Sequence, residues 1–152
     1  MSALTAAEIK VFVDAVIRYF DRLTGDGAVV SASYLADTAI PRSDYTGLIT
    51  FSGRFRGCIY CSAPRAMLPE LLAALGEPDV SEPNLLDAVG ELTNTIAGNA
   101  RSHFGDGLEI SVPVTIRGTS ERIRAAVRAR PYAIVVRWRR HDIAVVVDLE
   151  RE

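Results

Sequence analysis

The chain has 152 residues, of which 49% are hydrophobic and 24% charged, with a formal net charge of −2 at pH 7. These proportions describe a folded globular protein rather than a disordered one. The length suits a single domain over residues 1–152. A near-neutral balance speaks against a general nucleic-acid binder. No apolar run approaches the roughly 18 residues of a membrane span. Glu8, Lys10 and Asp14 interrupt the apolar residues near the N-terminus, so no secretory signal is expected and the expected location is the cytoplasm.

Thr5-Ala-Ala-Glu8 has the pattern of a capping box and opens a helix. Ile9, Val13, Val16, Ile17 and Phe20 recur at helical spacing, and Gly25-Asp-Gly27 ends the element. Three strand-like runs follow, Ala28 to Ala36, Tyr45 to Phe51 and Gly57 to Ser62, the last two joined by a hairpin turn over Ser52 to Arg56. Pro64 to Leu75 reads as a short amphipathic helix with Met67, Leu68, Leu71 and Leu72 inward. A long helix is predicted from about Pro83 to His103, with Ser81 at its cap and Gly105-Asp-Gly107 after it. Leu108 to Arg117 then alternates as one strand, with Leu108, Ile110, Val112, Val114 and Ile116 on a single side. Gly118 to Arg130 reads as a loop. Tyr132 to Trp138 and Ile143 to Leu149 form a hairpin across Arg139-Arg140-His141-Asp142.

The order helix, Gly-Asp-Gly, three strands thus occurs twice, in halves of about residues 1–76 and 77–152. At an offset of 73, Asp14 answers Asp87 and Gly25 answers Gly98, while Arg18 stands against Glu91 and Asp21 against Asn94. The predicted fold is α+β: a duplicated unit of one helix and three strands, giving a mainly antiparallel sheet of about six strands with helices packed on it.

The second of these helices carries an unusual polar face. At about 100° per residue, Asp87, Glu91, Asn94 and Gly98 fall within a strip about 60° wide. Leu85, Leu86, Val89, Leu92, Ile96 and Ala100 take the other side. A solvated face is normally built from Lys, Arg and Glu. Here it holds an asparagine and a glycine, with Gly90 close by, and a helical glycine costs about 0.5–1 kcal/mol relative to alanine. Taken alone, the strip reads either as a tolerated solvent face or as a contact face, and the first is the commoner case.

Other candidate signals carry less. Cys58-Ile-Tyr-Cys61 places its thiols on opposite faces of a strand, which suits core cysteines better than zinc or redox chemistry. His103 and His141 lack a pattern of metal-ligand spacing, so no metal site is expected. Asn99 is expected to bond backbone at a neighbouring loop, and Trp138 reads as an aromatic at the edge of a hairpin. From Arg117 to Arg140 there are eight arginines against one acid, Glu121. That segment is either a set of solvated faces or a surface for an acidic partner.

Asp87-xxx-Glu91-xx-Asn94, continued by Ile96-Ala-Gly98-Asn99-Ala100, resembles the signature of the CheC/CheX/FliY phosphatases of bacterial chemotaxis. Ile110-Ser-Val-Pro113-Val-Thr-Ile-Arg-Gly118 is similar to the strand that follows this helix in the family, and Phe51-Ser-Gly53, Gly57 and Ser62-Ala-Pro64 fit its central hairpin. With Arg18 and Asp21 in the first helix, the chain resembles the single-site CheX kind. The resemblance implies a CheC-like fold, a homodimer, and dephosphorylation of a CheY-type receiver domain. It implies that Asn94 orients the attacking water and that Glu91 anchors the receiver through its lysine. Asp87 and Gly98 then extend the binding surface. An amide offers donors and an acceptor without becoming charged, and phosphoryl transfer rests on positioning and electrostatics. No cofactor of the chain's own is expected, the Mg²⁺ belonging to the partner receiver.

Three functions compete on these grounds: a phosphatase, a receiver-binding or scaffold module without turnover, and a structural dimerisation domain. A solvent-facing strip keeps the first two, and a strip buried under the chain's own residues favours the third.

Overall fold

A computed structural model describes residues 2–36, 43–118 and 131–151. The first helix, α1 (Ala6–Leu23), follows the two-residue strand β1 (Ser2–Ala3) and starts on the full capping box, with Thr5 and Glu8 bonding each other's backbone. Strands β2 (Ala28–Leu35), β3 (Tyr45–Gly53) and β4 (Phe55–Ala63) come next. A 3₁₀ turn at Arg65–Met67 leads into α2 (Leu68–Ala74), and α3 runs over Glu82–Phe104. The second half ends with β5 (Leu108–Ile110), β6 (Val114–Arg117), β7 (Tyr132–Trp138) and β8 (His141–Arg151).

The main path through the sheet is β2-β7-β8-β4-β3-β5, with β1 paired to β8 and β6 paired to β3. Every pairing is antiparallel. Let β2, β3 and β4 exchange with β5/β6, β7 and β8. The order then reads the same in reverse, the pattern expected of two like halves joined through their last strands. The equivalence of Gly25 and Gly98 does not extend to structure. Gly25 lies in the turn beyond α1, whereas Gly98 is in the interior of α3.

Phe12, Val16 and Phe20 of α1 and Leu85, Val89, Leu92 and Ile96 of α3 share the main core with Ile49, Ile59 and Val145 of the sheet. A smaller buried cluster, Leu48, Cys58, Tyr60, Ala133 and Val146, forms separately. The two cysteines divide as strand geometry requires, Cys61 into the main core and Cys58 into the smaller cluster. Neither forms a disulfide, and burial pushes the Cys61 thiol up to about 12.

Two predicted strand boundaries need correction. Leu108 to Arg117 is two strands rather than one. Ile110 pairs with Phe51 but Val114 with Leu48, so one extra residue lies opposite β3. Pro113 has no N–H to give to a ladder, and the Ser111 hydroxyl accepts a bond from the Thr50 N–H at 3.0 Å. Such a slip changes which way the later side chains point. Leu108 is buried in the main core, Val112 is 80% exposed, and Ile116 packs against the smaller cluster.

The second correction concerns the last hairpin. Its turn is the dipeptide Arg139-Arg140, and His141 and Asp142 are already in β8. Arg139 adopts a positive φ of 57°, uncommon for a side chain of this size. Its guanidinium donates to Asp26 at 2.7 Å and to Glu70 at 3.1 Å, and lies 4.4 Å from the Trp138 ring centroid. Glu70 also pairs with His141. Trp138 is not an edge aromatic: it is fully buried, its ring centroid 5.2 Å from that of Phe20.

The predicted loop over 118–130 falls, apart from Gly118, outside the described residues, as do Arg122, Arg124, Arg128 and Arg130 of the arginine-rich segment. Among the described residues no helix is long and apolar enough to cross a membrane.

Candidate functional site

Helix α3 is held against the sheet by packing that its strip does not share. At Gly47 of β3 an added Cβ would lie 2.4 Å from Thr93 Oγ1 and 2.7 Å from the Val89 carbonyl oxygen. Only glycine admits the helix at this distance. The buried Thr93 hydroxyl donates to Val89 O at 2.8 Å, with Gly47 O at 3.3 Å. At the N-terminal end, the Tyr45 hydroxyl donates to Glu82 at 2.7 Å, and Arg117 stands 3.4 Å from the same carboxylate. Burial foremost, and then that carboxylate, push the Tyr45 phenol above its usual range. Ser81 holds the N-cap position, but its side chain makes no capping bond. These contacts fix the axial position and rotation of α3, and so decide which residues face outward.

The outward residues are those of the strip. Asp87 and Glu91 are exposed, and Asn94 and Gly98 are half-buried. Among the described residues, none of the side chains of Asp87, Glu91 and Asn94 makes a hydrogen bond or ion pair within the chain. Glu91 and Asn94 stand at i and i+3, neighbours on one helix face. Their donors, acceptors and charge are thus turned outward and unused. Among the described residues nothing buries Asp87 or Glu91, and Asn94 and Gly98 stay half open, the arrangement expected of a phosphatase or a binding module rather than of a purely structural face.

The two glycines part company. Gly90 is buried, and a Cβ there would come 2.9 Å from the Thr115 Cγ2 atom. Its missing side chain serves the packing of α3 on β6 and leaves no room to attribute it to a partner. Around Gly98 nothing lies within 4 Å of an added Cβ. No internal packing explains that glycine.

Two open depressions adjoin the strip. One of about 550 Å³ is lined by Leu75, Asp87, Gly90, Glu91 and Pro113, among others. The other, of about 570 Å³, is lined by Gly98, Arg101, Ser52 and Glu109, among others. Asn94 lies along the helix between the stretches of α3 that line them. Among the described residues Asn99 makes none of the expected bonds to the backbone of a neighbouring loop. It lines a smaller groove with Arg18, Tyr19 and Arg22 of α1. The buried Tyr19 hydroxyl has no hydrogen-bond partner among the described residues, and burial, with the Glu91 charge adding to it, pushes it up to about 12. The α1 residues answering Glu91 and Asn94, namely Arg18 and Asp21, are exposed and present opposite charges in place of a carboxylate and an amide. Among the described residues no group of three or more His, Cys, Asp or Glu side chains is placed to hold a metal ion.

Residues 45–137 match the family model described as chemotaxis phosphatase CheX. The chain belongs to this family. No curated protein sequence matches it. Among solved structures, a putative chemotaxis protein from Desulfovibrio vulgaris Hildenborough superposes with a TM-score of 0.78 at 20% identity, covering 98% of this chain and 100% of that one. The chemotaxis protein CheX from Vibrio vulnificus gives 0.76 at 19% identity, over 95% of this chain and 100% of that one. CheX from a CheX–CheY–BeF₃–Mg²⁺ complex of Borrelia burgdorferi gives 0.69 at 20% identity, over 95% and 98%. At these identities the likeness is one of fold, and the fold is the CheC-like one. The family match begins at Tyr45, so it includes β3, α3 and the strands that hold α3, but not α1.

Sequence reasoning missed the buried Gly47 and Tyr45 and the half-buried Glu82, which orient α3. Gly47 inside an apolar strand run was the one available signal, since a strand glycine often marks close approach of another backbone.

Proposed function

We propose that this CheX-family chain hydrolyses the aspartyl phosphate of a CheY-type receiver domain. Asn94 holds the attacking water, and Glu91 pairs with a cationic side chain of the receiver. Water oxygen bonds to phosphorus, the acyl oxygen–phosphorus bond breaks, and the receiver aspartate leaves as carboxylate. The phosphate carries away the proton the water gives up. Mg²⁺ is the receiver's, and this chain supplies alignment and charge. The observation that carries this reading is the half-buried Asn94 amide. It is fixed by the packing of α3, next to an exposed carboxylate, and makes no hydrogen bond within the chain among the described residues. Asp87 and Gly98 complete the docking ridge, the glycine by letting receiver backbone come close. The reaction belongs in the cytoplasm, where such receivers work. The family match and the Borrelia complex support a receiver of this class as the partner.

The homodimer is part of the same reading. Among the described residues strand β2 ends the sheet, carries no charge over its eight residues, and leaves Val29, Val30, Tyr34 and Leu35 exposed. Proteins ordinarily protect such an edge with charge, proline or a cover. A second copy of β2, antiparallel to the first, closes both edges at once about a two-fold axis. Val29→Lys combined with Leu35→Lys is expected to halve the mass seen by light scattering. An unchanged mass sends the interface elsewhere.

Decay of a phosphorylated receiver tests the chemistry. Asn94→Ala is expected to lower the rate at saturating receiver about 100-fold, the usual effect of losing one aligned polar group, with binding retained. Glu91→Ala is expected to act mainly on binding. A receiver bound at unchanged phosphate lifetime would instead establish a binding module without turnover.

A further inference from the structure

The depression around the first turns of the strip is acidic at its rim and apolar in its walls. Glu77, Asp87 and Glu91 supply the carboxylates, while Leu72, Leu75 and Pro113 supply apolar surface. Leu75 follows Leu68, Leu71 and Leu72, which are buried, and stands 48% exposed at the C-cap of α2. Val112, pushed outward by the break between β5 and β6, lies next to Pro113. Among the described residues, the exposed large hydrophobic side chains fall into two groups. Val29, Val30, Tyr34 and Leu35 are on β2, and Leu75, Val80 and Val112 are on the α2–α3 connection and the β5–β6 break. The first group belongs to one end strand of the sheet. Of the second, Leu75 lines the depression, and Val112 is the chain neighbour of Pro113, which also lines it.

The α2–α3 connection is internally bonded. Asp79 N–H donates to the Glu77 carboxylate at 3.0 Å, Ser81 N–H to the Asp79 carboxylate at 2.9 Å, and the Asn84 amide to Asp79 O at 2.9 Å. Pro78 and Pro83 stiffen it further. Among the described residues, no cation of the chain pairs with Glu77, Asp87 or Glu91. An apolar depression with a preformed, uncompensated acidic rim suits a side chain that is apolar and flanked by lysine or arginine.

We infer that this depression is the receiver-selecting part of the docking surface: it takes an apolar side chain of the receiver with a basic residue beside it. The inference rests on the reading that a receiver docks on α3. At 1.5 Å per residue, Asp87 lies about 10 Å along the helix from Asn94. A contact at the far end of the depression therefore acts on the choice and strength of docking and does not touch the phosphoryl group.

The test uses a CheY-type receiver from the same organism, loaded with beryllofluoride for binding and phosphorylated by acetyl phosphate for turnover. Leu75→Lys and Val112→Lys alter exposed side chains, and thermal melting checks that each variant is folded. Each is expected to raise the receiver concentration for half-maximal rate about ten-fold, with the saturated rate within about two-fold of wild type. Glu77→Lys is expected to weaken binding at low salt and to flatten its salt dependence. Folded variants with unchanged half-maximal concentration would overturn the inference. The two readings fail separately. If wild type does not shorten phosphate lifetime yet Leu75→Lys still weakens binding of the beryllofluoride-loaded receiver, turnover falls and the docking site stands. If turnover requires Asn94 but is indifferent to Leu75, Val112 and Glu77, the docking site falls alone.

Discussion

Gly98→Ala separates a glycine kept for a partner from one kept for the fold, because the two effects carry opposite signs. Within a helix, alanine is favoured over glycine by about 0.8–1.0 kcal/mol. At position 98 nothing within 4 Å opposes the new methyl group, so no overpacking offsets the gain. The variant should be more stable by about 1 kcal/mol, which raises the melting temperature by about 2–4 °C for a chain of this size. If receiver backbone rests against this point, the same methyl group displaces it. A misplacement of about 1 Å can cost on the order of 100-fold in rate. Melting followed by circular dichroism and decay of a phosphorylated receiver are the paired assays. Higher stability with slower dephosphorylation is the expected outcome. Higher stability with wild-type turnover would refute the claim that a partner comes close at Gly98, and lower stability would refute the packing argument itself.

Gly47→Ala places a Cβ against Thr93 Oγ1 and the Val89 carbonyl. It should lower stability by about 1–3 kcal/mol in denaturant melts, the usual cost of overpacking. Tyr19→Phe removes a buried hydroxyl without a partner and should leave stability equal or up to about 1 kcal/mol higher, measured the same way. Hydrogen bonding from His141 first, and then from Arg139, holds the Glu70 carboxyl below its ordinary value of 4.5. A depressed carboxylate stabilises the fold above its unfolded value, and the contribution is lost as pH falls through the lower folded value. Stability should therefore decline from about pH 4.5 downward, and Glu70→Gln should flatten that limb in urea titrations across pH.

The ends of α3 and the composition of its outer face were legible because a 3.6-residue period runs unbroken over more than twenty residues. The strip's exposure followed from the same period. What the sequence could not convey depended on neighbours distant along the chain. Gly90 beside the strip and Gly98 within it are the same residue type in one helix, yet a threonine methyl on β6 stands over the first and open space over the second. The alternation from Leu108 to Ile116 reads as a continuous strand, because a one-residue slip is defined only by the strand it pairs with. Trp138, set among arginines, looked peripheral until Phe20 of α1 was placed over it. Cys58 and Cys61 were read correctly, since two-residue periodicity alone sends positions three apart to opposite faces. The family resemblance carried the chemistry. Local pattern showed only that Asn94 and Glu91 were neighbours facing the same way.

The most direct measurement follows the phosphate lifetime of a CheY-type receiver mixed with a small fraction of an equivalent of this protein. The account predicts that every receiver loses its phosphate faster than it does alone, over many turnovers, and that Asn94→Ala, folded and still bound to the receiver, returns the lifetime almost to its unassisted value. A lifetime unaffected by wild type, or shortened equally by the variant, would contradict it.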